Sequence, residues 1–169
     1  MISVTYIQRN VRTICAGYRA AAKPLHTLML AKLAIIEVGG WVEMSMDDLV
    51  LRCGKKLKES KNDDHLKKVI VKNTWGFDYE KNFRQMLIRA VGLVTVEKIE
   101  LRLDGAKFAK LNAALDMLKT ARNNVAHTYV KHPVVTAPIP APMVVASYFN
   151  DIYDGLKDFE KVMKSLRLF

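Results

Sequence analysis

Apolar positions recur along this chain at helical intervals. In residues 2–20, Val4, Ile7, Val11, Ile14 and Tyr18 follow one another at steps of three and four, which places them on one side of a helix, with Arg9, Arg12 and Arg19 off it. Residues 24–38 start at Pro24, a residue suited to a first helical turn. They are apolar almost all round, the pattern of a central helix buried on every side. Gly39-Gly40 then either breaks that helix or lets a neighbour approach closely. Ser45, with Asp48 three residues on, has the form of a capping box and predicts a new short helix to about Cys53.

Residues 54–64 are polar and predict an exposed loop, and His65–Lys72 a short basic helix. Thr74-Trp75-Gly76 reads as a turn. Asp78 is placed to cap a helix carrying Phe83, Met86, Leu87 and Ala90 and closed by Gly92. Residues 94–103 fit either a strand or a helix. A lone strand has no partner in this pattern, so helix is the better reading. After the turn at Asp104-Gly105, residues 106–130 carry Phe108, Leu111, Leu115, Leu118, Val125 and Tyr129 in heptad-like register. Residues 131–142 hold four of the five prolines and predict a loop or extended arm. Residues 143–168 close the chain with Val145, Phe149, Ile152, Leu156, Phe159, Met163 and Leu166. The expected fold is an all-α bundle, in a single domain spanning 1–169.

Composition narrows the picture further. The 169 residues are 50% hydrophobic and 26% charged, enough for a packed core without disulfides. No apolar run is expected to reach membrane-spanning length. Cys15 and Cys53 form no motif and no histidine is spaced for zinc, so reduced thiols, no metal and no cofactor are expected, in a cytoplasmic protein. Nothing acidic precedes Glu37, while Arg9, Arg12, Arg19, Lys23 and Lys32 do. The segment is poor in serine, which argues against a transit peptide. The net charge of +10 favours polyanionic partners, nucleic acid among them.

The 106–130 stripe contains one anomaly. After Leu118 the next core-facing position holds Arg122, and a guanidinium there needs a carboxylate or phosphate partner. A structural ion pair with Glu37 or Glu43 would satisfy it. Lys119, Asn123 and His127 lie at steps of four on the adjacent stripe, and Tyr129 returns to the Arg122 line. Fixed cations, an amide and one imidazole suit a phosphodiester. Arg122 and His127 diverge by about 140° on an ideal helix. Either the helix ends inside the motif, or two copies meet across a twofold axis.

The stretch ARNNVAHTYV, residues 121–130, resembles the signature of HEPN domains, with Arg122, Asn123 and His127 matching an R-N-x-x-A-H form. The resemblance implies a helical bundle of four to six helices with a long C-terminal helix, usually a homodimer. Many members of that family are metal-independent endoribonucleases of toxin–antitoxin and phage-defence systems. It also implies catalytic roles for Arg122, Asn123 and His127, with Lys119 and Lys131 as candidate RNA contacts. Tyr129 is similar to a tyrosine that accepts nucleotide in members paired with a nucleotidyltransferase antitoxin. The other expectation is a non-catalytic adaptor that binds such a nucleotidyltransferase, nucleotide or RNA.

Overall fold

The computed structural model describes residues 1–126 and 139–169. Among the described residues the chain is helical and has no strand. Its helices are α1 (Thr5–Ala20), α2 (Pro24–Cys53), α3 (Ser60–His65), α4 (Arg84–Val91), α5 (Leu93–Glu100), α6 (Gly105–Ala126) and α7 (Pro142–Ser165). The all-α expectation and the long C-terminal helix hold. Among the described residues there are seven α-helices where the resemblance implied four to six; α3 begins inside the polar 54–64 stretch expected to be a loop, and α5 bears out the helical reading of the 94–103 stretch. Two π-helical turns extend short helices: Leu66–Val71 continues α3, and Tyr79–Phe83 leads into α4.

Helix α2 is the axis of the bundle, about 45 Å long at 1.5 Å per residue. Its chief neighbours are α1, α6 and α7. Gly39-Gly40 does not break it. Gly39 is buried at a close approach: a Cβ there would lie 3.4 Å from Phe77 and 3.6 Å from Arg122 Cδ. Ser45 therefore caps nothing and is buried in mid-helix. Asp48, expected in that capping box, is mid-helix too and pairs with Arg52 one turn on. Asp63 and Asp64, expected in a loop, lie on α3 and pair with Lys67 and Lys68 at 2.5 and 2.9 Å.

The expectation that α2 is buried all round is wrong for one face. Ala34, Ile35, Val38, Val42, Met46 and Leu49 are buried, whereas Leu25, Met29, Leu33, Ile36 and Met44 face outward. By length and composition alone, Pro24–Lys56 is also apolar enough to cross a bilayer, which corrects the expectation that nothing reached that length. In the bundle, one side of the segment is a core face.

Side chains set several helix ends. Asp78 accepts the Lys81 N–H at 2.9 Å, as its position predicts. Gly92, at φ +86, closes α4. Asp104 accepts the Ala106 and Lys107 N–H groups and so starts α6. Helices α6 and α7 pack closely because Gly155 has no side chain. A Cβ there would lie 2.6 Å from Leu111 Cβ.

Among the described residues, Glu160 on α7 and Ser45 are the buried polar ones. The Glu160 carboxylate meets Arg52 Nη1 at 2.6 Å, Lys164 Nζ and the Met1 amine at 2.9 Å each, and accepts the Ile2 N–H at 3.2 Å. Burial alone would raise its pKa. Lys164, the amine, the Ile2 N–H and Arg52 outweigh burial and hold it down at about 2.

Two outcomes follow for stability. Gly155→Ala should lower stability by about 1–2 kcal/mol in urea unfolding, because overpacking exceeds the gain in helix propensity. Glu160→Gln should cost about 3 kcal/mol at neutral pH by leaving Arg52 without its buried partner. The carboxylate is ionised in the folded state down to about 2 and in the unfolded state only above about 4.5, so it stabilises at neutral pH. Its contribution should disappear as pH falls through that window, and the difference between variant and wild type should shrink with it.

Candidate functional site

The last turns of α6 bring the candidate residues to one edge of α2. Ala121 and Val125 continue the buried line of Leu111, Leu115 and Leu118. Arg122 lies beside that line with its side chain 36% exposed, so it is not a core arginine. Its guanidinium donates to both Glu43 oxygens, at 2.8 Å from Nη1 and 3.4 Å from Nη2. The same group lies over the Phe77 ring, 5.4 Å from its centre. Gly39 leaves room for the side chain to cross α2 toward Glu43, one turn further along. Of the two carboxylates considered from sequence, Glu43 is the partner. Glu37 instead accepts a hydrogen bond from Asn10 at 3.1 Å. Both ends of the Arg122–Glu43 pair are partly solvated, so its worth is on the order of 1 kcal/mol. A carboxylate held in two-point contact can be exchanged for a phosphate, which offers the same geometry.

Lys119, one turn earlier, donates to Asp78 at 2.6 Å and lies 3.5 Å from Asp116. Hydrogen bonds from Lys119 and from the Lys81 N–H hold the Asp78 carboxyl below the usual range. Lys119 thus ties α6 to the π-helical entry of α4, and its charge is compensated within the chain. Asn123 is exposed. The structure therefore brings Arg122 and Lys119 to the rim of the bundle, each already paired with a carboxylate. His127, Tyr129 and Lys131 lie outside the described residues, as do positions 131–138 of the proline-rich segment.

Two residues at this edge were missed from sequence. Phe77 was passed over as part of a turn region, and it is buried under the Arg122 guanidinium. Asp47 lies one turn beyond Glu43 on α2. Burial, and then the Glu43 charge, raise its carboxyl to about 6. The signal for Asp47 was its step of four from Glu43, which carries meaning only once α2 is continuous across Gly39-Gly40. Among the described residues no three His, Cys, Asp or Glu side chains converge as a metal-ligand set. Burial pushes the Cys53 thiol up to about 11, so it stays protonated at neutral pH.

A separate groove of about 790 Å³ runs between the start of α1 and the middle of α2. Tyr6, Asn10, Glu37, Trp41 and Met44 are among its walls, and Arg122 is not. Comparison of the chain with family models, with curated proteins and with solved structures finds no match.

The Glu43/Asp47 pair yields a pH-dependent outcome. Asp47 has its pKa raised on folding, from 3.8 to about 6, so its ionised form destabilises the folded state at neutral pH. Asp47→Asn should raise the thermal midpoint at pH 7. The gain should shrink as pH falls through about 6 and vanish below about 4, read from melting curves across that range.

Proposed function

We propose that the chain is a HEPN-type, metal-independent endoribonuclease that acts as a homodimer, as a toxin of a toxin–antitoxin or phage-defence system. The observation that carries the reading is the placement of Arg122. It stands at the end of the penultimate long helix of an all-α bundle, partly exposed, with its guanidinium held in two-point contact. That is a suitable start for binding a phosphodiester beside His127.

In the proposed reaction the ribose 2′-oxygen attacks the adjacent phosphorus and the bond to the 5′-oxygen breaks. The products are a 2′,3′-cyclic phosphate and a 5′-hydroxyl. His127 of one copy takes the proton from the 2′-hydroxyl, and His127 of the second copy gives one to the leaving oxygen. Arg122 exchanges Glu43 for the phosphate and stabilises the charge that builds on its oxygens. Asn123 orients the phosphate or the imidazole, and Lys119 and Lys131 contact flanking phosphates. The need for a 2′-hydroxyl restricts cleavage to RNA.

The Glu43 contact also favours a second reading, in which Arg122 keeps its carboxylate partner and the domain does not cut. The chain is then an adaptor for a nucleotidyltransferase, nucleotide or RNA, and Tyr129 is the residue such a partner would modify.

The two readings part on one experiment. Purified wild type and His127→Ala are incubated with total RNA in EDTA and the new ends are mapped. The nuclease reading expects wild-type cleavage leaving cyclic phosphates, and at least a hundredfold loss in the variant, in line with general acid–base catalysis. Equal cleavage by both proteins defeats it. No cleavage by folded, partner-free wild type moves the assignment to the adaptor.

A further inference from the structure

The groove between the start of α1 and the middle of α2 has the build of a small-molecule site. Its volume, about 790 Å³, falls in the range of such sites. Ile2, Ile7 and Trp41 give it an apolar lining, and Tyr6 and Met44 stand exposed at its sides. Trp41 is fixed in place. Its Nε1–H donates to the Ser3 carbonyl at 2.9 Å, and its ring meets Phe149 in a T-shaped contact with centres 4.8 Å apart. A wall held in this way needs little ordering when a ligand arrives.

Two observations point to an occupant. The first is Gly40, which lines the groove from α2. A glycine inside a helix is unfavourable relative to alanine. Gly39 has a reason within the chain, the approach of Phe77 and Arg122, whereas at Gly40 a Cβ would meet nothing within 4 Å. The space that a side chain would fill is left to the groove. The second is Ser45, also in the lining and only 5% exposed. Among the described residues its hydroxyl has no hydrogen-bond partner, yet it is not sealed in the core, so it opens on the groove. A polar group so enclosed normally has a partner, and a polar ligand atom would be one.

Charge selects the class of ligand. The charged side chains of the lining are Glu37, Asp48 and Arg52. Arg52 is shared between Asp48 and Glu160 and offers no free charge to an anion. The half-buried Glu37 carboxylate has one partner among the described residues, the neutral Asn10 amide at 3.1 Å. A carboxylate accepts about four hydrogen bonds, so most of its capacity stays open. Glu37 and Ser45 are separated by about 12 Å along α2, with Gly40 and Trp41 between them. We infer that the groove binds an amphipathic small-molecule cation. Its protonated primary amine meets Glu37, its aromatic or aliphatic body lies over Gly40 and against Trp41, and a polar atom at its far end reaches Ser45. Lys119, Arg122 and Asn123 are not among the walls, so the assignment does not rest on the nuclease reading.

The test uses the full chain, with binding read by isothermal calorimetry. The probes are tyramine, octylamine and aminooctanol, each set against a carboxylate of the same body: hydroxyphenylpropionate, nonanoate and hydroxynonanoate. At least one amine should bind with a dissociation constant below about a millimolar, and its carboxylate about tenfold or more weakly. Glu37→Gln keeps an acceptor for Asn10 and should weaken the amine about tenfold, the worth of a hydrogen bond to a charged group. Gly40→Leu improves helix propensity and fills the groove, so it should abolish binding while the helical circular dichroism is retained. Ser45→Ala should weaken aminooctanol about fivefold and leave octylamine, which has no hydroxyl, unchanged. Absence of saturable binding by every amine up to about ten millimolar overturns the inference. Equal affinity for amines and carboxylates does so too, as does an amine site indifferent to Gly40→Leu. Self-association that Gly40→Leu abolishes, with no amine bound, would give the groove to another polypeptide and also overturn it.

Discussion

Every other long helix packs on α2, and the arginine that α6 lays across it passes beside a position where a side chain is missing. Gly39 lets Phe77 and the stem of Arg122 lie directly against the helix. A methyl group there would touch both at ordinary van der Waals distance, and a larger side chain would have to displace one of them. Arg122 crosses α2 at this point and its guanidinium arrives one turn beyond the glycine, at Glu43. The edge of the bundle that carries the candidate chemistry is thus a consequence of core packing, positioned by a buried residue with no chemistry of its own.

The helices were legible because burial writes a period of three and four into the sequence, and α1, α6 and α7 each bury the line that their spacing marks. Helix α2 was harder, for a physical reason. Two glycines and a Ser-x-x-Asp quartet are stop and start signals when they stand alone. Here tertiary packing overrides both, since Gly39 serves a close approach and Asp48 serves Arg52. Reading α2 as two helices hid the step of four from Glu43 to Asp47, and with it the raised carboxyl at the site's edge. Local pattern also mistook apolar all round for buried all round, although one apolar face is core and the other is not.

At the candidate site, the sequence singled out Arg122 as needing a carboxylate and named Glu43 as one of two choices. The choice between Glu37 and Glu43 was not legible, because it depends on how α6 is rotated over α2. Pairing of Lys119 with Asp78 was not legible either, since 41 residues separate them and only the fold brings them together. Both cations at the rim turn out to be neutralised by carboxylates of the same chain. Any polyanion that binds there competes with Glu43 and Asp78 as well as with water, and raised salt would weaken the polyanion and the internal pairs together.

The two apolar faces of α2 bear on how this helix finds its orientation while the chain folds. Hydrophobicity alone does not say which face turns inward, because both faces offer leucine, isoleucine and methionine. The choice falls to the polar residues between them. Turning the outer face into the core would carry Glu43 and Asp47 with it, away from Arg122 and from water. An unpaired buried carboxylate costs several kcal/mol, more than one further apolar side chain returns on burial. The acidic residues of α2 thus act as a rotational key. They add little to the depth of the native state and much to the height of its nearest competitor.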